Sequence, residues 1–297
     1  MSEEIPIDHL RNWIGKRECV SDTITPELLK RFRATLGDYT PLGDEDDPKL
    51  PLGLHWALGQ PAITSDGLGL DGHPAKGGFL PPVPLPRRMW ASSRVAFHQS
   101  PGIGKPIERI STIADVVHKH SAASGDLVFV HVDHRYTQSA EEGAQLLIDE
   151  SQVIVYRQPS AFKPAKPQNL EAMPKNPAHS LKILPDSTLL FRYSAITFNG
   201  HRIHYDHHYT TGVEGYPGLV VHGPLMATLL MNFAQANRSG SPLKEFEFRG
   251  AAPAFVDQAL ELSLQEDGAA NDDDTETLEI RNHEGALIMT ATAGFGA

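Results

Sequence analysis

Between Met89 and Arg157 the chain carries four strand-length runs, MWASSRVAFHQ, IERISTIADVVHKH, GDLVFVHVDHRYTQ and AQLLIDESQVIVYR. They are rich in β-branched residues and separated by Gly, Pro or Ser turn signals, which predicts an antiparallel meander of long strands. Upstream, residues 6–37 read as one amphipathic helix: Thr25 suits a cap, Pro26 suits the first helical position, and Leu28, Leu29, Phe32 and Leu36 recur near helical spacing. A helix followed by a meander is the α+β arrangement in which the helix packs on a curled sheet. The stretch between them, 38–86, is dominated by Gly, Pro and Asp, including DEDDP, GGF and PPVPLP. It can sustain neither a helix nor a central strand, and a loop of that length is usually functional or mobile.

The plan then repeats. Residues 158–186 hold many prolines and lysines, Lys163 and Lys166 among them, and read as a linker between a domain at 1–157 and another at 187–297. In the second half STLLFRYSAIT reads as a strand, FNGHRIHYDHHY as a polar loop, and VVHGPLMATLLMNFAQAN as a helix starting near Pro224 with Met226, Leu230 and Phe233 on one face. Phe191, Tyr193 and Phe198 are expected in the core or a pocket wall. Three strand-like runs follow, KEFEFRGAAPAF, DQALELSLQED and LEIRNHEGALIMTATAGF, the last a hairpin around Glu284 and Gly285, with EDGAANDDDTE as a solvated hairpin tip.

The 297 residues carry 26 Lys plus Arg against 37 Asp plus Glu, a formal charge of −11. That balance excludes sequence-independent binding to duplex nucleic acid, which relies on neutralising many phosphates. The single cysteine, Cys19, rules out an intrachain disulfide and a cysteine-based zinc site, in keeping with a reducing cytoplasm. The first residues, MSEEIPIDHL, are acidic where a secretory signal is basic, and no run approaches ~18 apolar residues, so neither export nor a membrane span is expected.

The densest group of reactive side chains is Asn199, His201, Arg202, His204, Tyr205, Asp206, His207 and His208. His204 and His208 are four apart, as metal-binding histidines on a helix are, but the intervening Tyr-Asp-His lacks the glutamate of the zinc-protease pattern. The metal-free reading is preferred: one imidazole moves a proton near neutral pH, and His201 and His207 are solvated or structural. In GLVVHGPLMATLL, His222-Gly223-Pro224 marks a helix start, where unpaired amides and the positive end of the macrodipole stabilise an oxygen gaining negative charge.

Residues 193–236 resemble the hydratase motif of the MaoC-like, R-specific enoyl-CoA hydratases of the hot-dog fold. His204 matches that family's catalytic histidine, His222-Gly223 its His-Gly pair, and Asn199 stands where it has an aspartate. The wording FNGHRIHYD, with GGFLPPVPLPRRMW at 77–90, is similar to a subgroup that contains type 2 hydroxyacyl-thioester dehydratases and the itaconyl-CoA and mesaconyl-C4-CoA hydratases.

The resemblance implies a double hot-dog chain, monomeric or homodimeric, whose C-terminal half alone carries the motif. It implies a hydro-lyase acting on an acyl-CoA, itaconyl-CoA or mesaconyl-C4-CoA, with CoA as part of the substrate and no metal or redox cofactor. His204 would be the acid/base, Asn199 would hold the water and the Gly223 amide would bind the thioester carbonyl. Arg202, Arg87, Arg88, Tyr205 and His222 would contact substrate; salt-bridging to Asp206 is the alternative for Arg202, and surface positions are the alternative for Arg87 and Arg88. Because an amide cannot take a proton, either His204 both removes and returns it, the preferred reading, or Asp206 assists. The alternatives in function are a 3-hydroxyacyl-CoA or acyl-carrier-protein dehydratase and a non-catalytic thioester-binding protein.

Overall fold

The computed structural model describes residues 4–42, 50–122, 125–140, 143–159, 162–165, 177, 179–238, 240–265 and 275–296. DEDDP, Lys166 and most of the acidic stretch EDGAANDDDTE lie outside these residues.

Among the described residues the first half runs α1 (Ile7–Leu10), β1 (Arg17–Thr23), α2 (Pro26–Leu36), β2 (Arg87–Phe97), β3 (Pro106–Ser121), β4 (Gly125–Ala140) and β5 (Gly143–Arg157). Thr25 caps α2 by accepting a hydrogen bond from the Leu28 amide. The single helix expected over 6–37 is corrected: its first part is a short turn of helix, and RECVSDT pairs edge-on with β3 as a strand. The loop expected at 38–86 is irregular where described, apart from short 3-10 turns such as Leu54–Ala57, whose four residues are all buried.

The second half runs β6 (His179–Ile183), α3 (Ser187–Ile196), α4 (His207–Gly212), α5 (Gly223–Asn237), β7 (Leu243–Gly250), β8 (Leu260–Leu264), β9 (Thr275–Asn282) and β10 (Leu287–Phe295). β6 falls inside the stretch read as linker. STLLFRYSAIT is α3 and not a strand, because Asp186 caps it through the Leu189 amide, and Leu189, Leu190, Tyr193 and Ser194 form a helical inner face. That face leaves Phe191 and Phe198 mostly exposed, so of the three aromatics expected inside only Tyr193 is buried. Within FNGHRIHYDHHY the loop reading gives way to a 3-10 turn at Arg202–His204 and to α4. The hairpin at Glu284 and Gly285 joins β9 to β10.

All strands belong to one antiparallel sheet of order β1-β3-β4-β5-β2-β7-β10-β9-β8-β6. Read inward from either edge, both halves follow the same plan of first, third, fourth, fifth and second strand, and the two second strands, β2 and β7, pair across the middle. The repeat is therefore one of topology, as element order predicted, but the four-strand meander expected over 89–157 is corrected: β3, β4 and β5 run consecutively, while β2 pairs with β5 and not with β3. α5 packs on β2, β7, β8, β9 and β10 and is buried on all faces from Leu225 through Ala234, which extends the one-sided face expected of it. Residues of the first half close over it: Asn232 exchanges hydrogen bonds with the Leu52 backbone, and the Thr40 hydroxyl donates to the Leu229 carbonyl.

Candidate active site

His204 is positioned by the segment that enters α5. The Val220 amide donates to the Ile203 carbonyl, and the Val220 carbonyl accepts from His204 Nδ1 at 2.7 Å. A carbonyl only accepts, so Nδ1 carries the proton and Nε2 presents a lone pair. Burial pushes the imidazole down to about 4, against the opposing effect of the Val220 hydrogen bond, so the ring is neutral near pH 7.

The His204 ring stacks on His222, centroids 3.6 Å apart and planes at 19°. His222 precedes the first residue of α5, is fully buried, and contacts the Ser194 hydroxyl through Nε2 at 2.8 Å. Burial and the neighbouring His204 and His201 hold it well below the usual histidine range. Gly223 thus follows directly on a ring stacked against the candidate base. Its amide belongs to the first turn of α5, which has no intrahelical acceptor. The backbone there lies close to β2, since a Cβ at 223 would stand 3.8 Å from the Trp90 carbonyl.

His204 also meets His201 edge-on at 5.4 Å, and His201 meets His73 at 4.3 Å. His201, expected to be solvated or structural, is buried, and burial with the nearby His204 lowers it to about 3. His207 and His208 are exposed on α4, so His208 does not join His204 as a ligand pair. Asn199 lies at the C-terminal exit of α3, where its amide donates to Ser194 and its Oδ1 accepts from the His201 amide.

The three candidate substrate arginines are engaged within the protein. Arg202 holds Asp206 through Nε and Nη2 at 3.0 and 2.7 Å, and its Nη1 reaches the Leu70 carbonyl. Of the two readings of Arg202 and Asp206, the salt bridge is present; the Tyr209 amide and then Arg202 lower the Asp206 carboxyl. Arg87 pairs with Glu214 at 2.8 Å and faces the Tyr216 ring. Arg88, largely buried, binds Asp71 at 3.1 Å and the Pro74 carbonyl. Tyr205 is half-exposed, with its hydroxyl donating to Gly200.

Asp71 and His73 come from the long loop of the first half and were not singled out from the sequence, where only the loop's length and position gave a hint. With His201 they place three donor atoms within 4.8 Å of one another. The set suits a divalent cation poorly, because Asp71 Oδ2 already accepts from Arg88 and sits 3.3 Å from His73 Nδ1. A guanidinium on that oxygen competes with a metal for it.

Two repeats of the same strand order on one sheet, with a helix buried on every face whose N-terminus meets a row of imidazoles, define a double hot-dog protein. The fold is shared with a Mycobacterium tuberculosis protein described as having a double hotdog fold (TM-score 0.56, 14% identity, 95% of this chain and 96% of that one). It is shared also with a MaoC-like dehydratase from Phytophthora capsici (TM-score 0.66, 13% identity, 98% and 97%). Residues 53–256 match the hydroxyacyl-thioester dehydratase type 2 family, and the chain belongs to that family. A mesaconyl-C(4)-CoA hydratase from Chloroflexus aurantiacus is 42% identical over 284 residues, 96% of this chain and 97% of that protein.

Proposed function

We propose that the chain is a hydro-lyase that adds water across the double bond of an unsaturated acyl-CoA thioester, with mesaconyl-C4-CoA, whose double bond is α,β to the thioester, as first substrate and itaconyl-CoA, whose double bond is β,γ to it, as second, forming citramalyl-CoA; the steps below are those for mesaconyl-C4-CoA. The observation that carries this reading is the tautomer and placement of His204: Nδ1 tied to Val220, Nε2 unbonded, and the ring stacked on the residue that opens α5. His204 Nε2 takes a proton from water as the hydroxyl adds to the β-carbon. The Gly223 amide, at the positive end of α5, receives the oxygen of the enolate-like thioester, and the proton ends on the α-carbon. Asn199 helps orient the water.

Recognition of the free carboxylate is assigned to Arg202, with Arg87 and Arg88 serving the carboxylate or the CoA phosphates. Each of the three serves the substrate only by exchanging its present partner. Tyr205 and His222 are assigned as further substrate contacts. Neither a metal nor a redox cofactor takes part; CoA arrives with the substrate. Among the described residues no helix is long and apolar enough to cross a membrane, and we place the enzyme in the cytoplasm, in degradation of itaconate or mesaconate, as a monomer or homodimer of double hot-dog units.

A second reading, dehydration of a 3-hydroxyacyl thioester, is favoured by the name of the matched family and uses the same groups in reverse. A panel of acyl-CoA esters, followed by loss or gain of the unsaturated thioester, separates the two. Highest turnover is expected on dicarboxylic C5 esters, with His204→Ala losing at least ~100-fold in rate. Unchanged turnover in that variant, or inactivity of the unaltered protein on the whole panel, would sink the proposal.

A further inference from the structure

Hydroxyl groups inside the helices of this chain have a usual partner. Those of Thr35, Thr210, Thr211 and Thr228 each donate to the carbonyl four residues back. Ser194, in the last turn of α3, departs from that habit: its Oγ lies 2.8 Å from Nε2 of His222, 28 positions further along and at the head of α5. Among the described residues this hydroxyl is the one hydrogen-bond partner of the His222 ring, which is fully buried and whose Nδ1 has none. Tyr193 meets the ring edge-on at 5.1 Å, and His204 lies against its face. The backbone of Ser194 is engaged as well, its carbonyl accepting from the Asn199 amide at 2.8 Å.

Building on the hydro-lyase reading, we propose that Ser194 is a positioning residue that acts through His222 and Asn199 to hold the base, the water and the thioester carbonyl in one geometry. The hydroxyl fixes the rotation of the His222 ring, whose face is the surface on which the His204 ring rests. The Val220 carbonyl holds His204 Nδ1 at one point, and the stack keeps the ring from tilting about that point. The same His222 side chain anchors the residue directly before Gly223, and with it the direction of the first amides of α5. The Ser194 carbonyl fixes the backbone of Asn199, whose Oδ1 accepts from the His201 amide and so belongs to the turn leading to His204. Without the hydroxyl neither nitrogen of the buried His222 ring has a partner, and an imidazole left so gains by turning toward another polar group. Displacing a base or an oxyanion donor weakens the transition state more than ground-state binding, so the effect of Ser194 falls on the rate. Ser194 itself exchanges no proton with the substrate.

The test uses the full-length protein and the best ester of the panel, with Ser194→Ala, Ser194→Cys and Ser194→Thr. Alanine removes the hydroxyl, cysteine keeps the size with only a weak hydrogen-bonding group, and threonine keeps the hydroxyl. In the alanine and cysteine variants kcat is expected to fall on the order of 10-fold with KM little changed, and threonine is expected to recover most of that loss. Wild-type kcat in Ser194→Ala overturns the proposal. So does a loss confined to KM, or a loss of equal depth in all three variants, which marks a packing defect and not a missing hydrogen bond. If the alanine variant does not fold, the cysteine and threonine variants carry the same comparison. Should the unaltered protein turn over no ester, the hydro-lyase reading fails by itself, and Ser194 is judged by ring-nitrogen NMR of the unliganded chain. Ser194→Cys must then shift the ring signals of His204, which is hydrogen-bonded to Val220 and not to residue 194, along with those of His222. Unchanged His204 signals would refute the positioning role.

Discussion

At His204 one hydrogen bond separates two uses of an imidazole. With Nδ1 committed to Val220, the ring is a base only at Nε2, and only while neutral. Since burial lowers it to about 4, kcat/KM should be insensitive to this group above about pH 5 and should fall as acidification charges it. A pH–rate profile over pH 3–7 checks this, as about one unit either side of the group's value spans most of its titration. The same burial couples folding to pH. His204, His201 and His222 are all depressed from an unfolded value of about 6.5, so the unfolded chain binds more protons between about pH 6.5 and the folded values. The stability they contribute is complete above that window and is lost as pH falls through it, by up to about 1.4 kcal/mol per pH unit for each histidine. Urea titrations at pH 7 and pH 5 measure it; equal midpoints would mean that these rings are already charged in the folded state.

On the scale of elements, α3 and α5 illustrate what local signals carry. Pro224 in the first turn and an apolar run without breakers make α5 legible from sequence. α3 was missed because its apolar residues run together as Leu189, Leu190 and Phe191, a cluster that suits a buried strand as readily as a helix. Asp186 resolves the ambiguity by holding the Leu189 amide. Replacing it with Ala should cost about 1 kcal/mol. Thermal unfolding of Asp186→Ala checks this, and the consequence extends to the site, because α3 carries Ser194 against His222 and ends beside Asn199.

For the whole molecule the decisive contact is the β2–β7 seam, where Val95 faces Phe246 in register and both are fully buried. Phe246→Ala should destabilise by roughly 3–5 kcal/mol. If the seam joins the halves into one cooperative unit, the variant still unfolds in a single transition by both tryptophan fluorescence and far-UV dichroism. Two separated transitions would show that each half stands alone. Cooperativity is expected because α5, buried on every face, is covered partly by Thr40 and Leu52 of the other half.

The residues by themselves determined the α+β class, the four long strands of the first half, the twofold plan and the motif around His204 and Gly223. Each of these depends on neighbours along the chain: turn residues, helical or alternating spacing, a proline at a helix start. Only the tertiary structure decided which nitrogen of His204 is bare, that Arg202 is tied to Asp206, and that Asp71 and His73 stand at the end of a row of imidazoles. Those facts depend on a close approach between Gly72 and Gly200, 128 positions apart in the chain, and local spacing carries no record of a contact made at that distance.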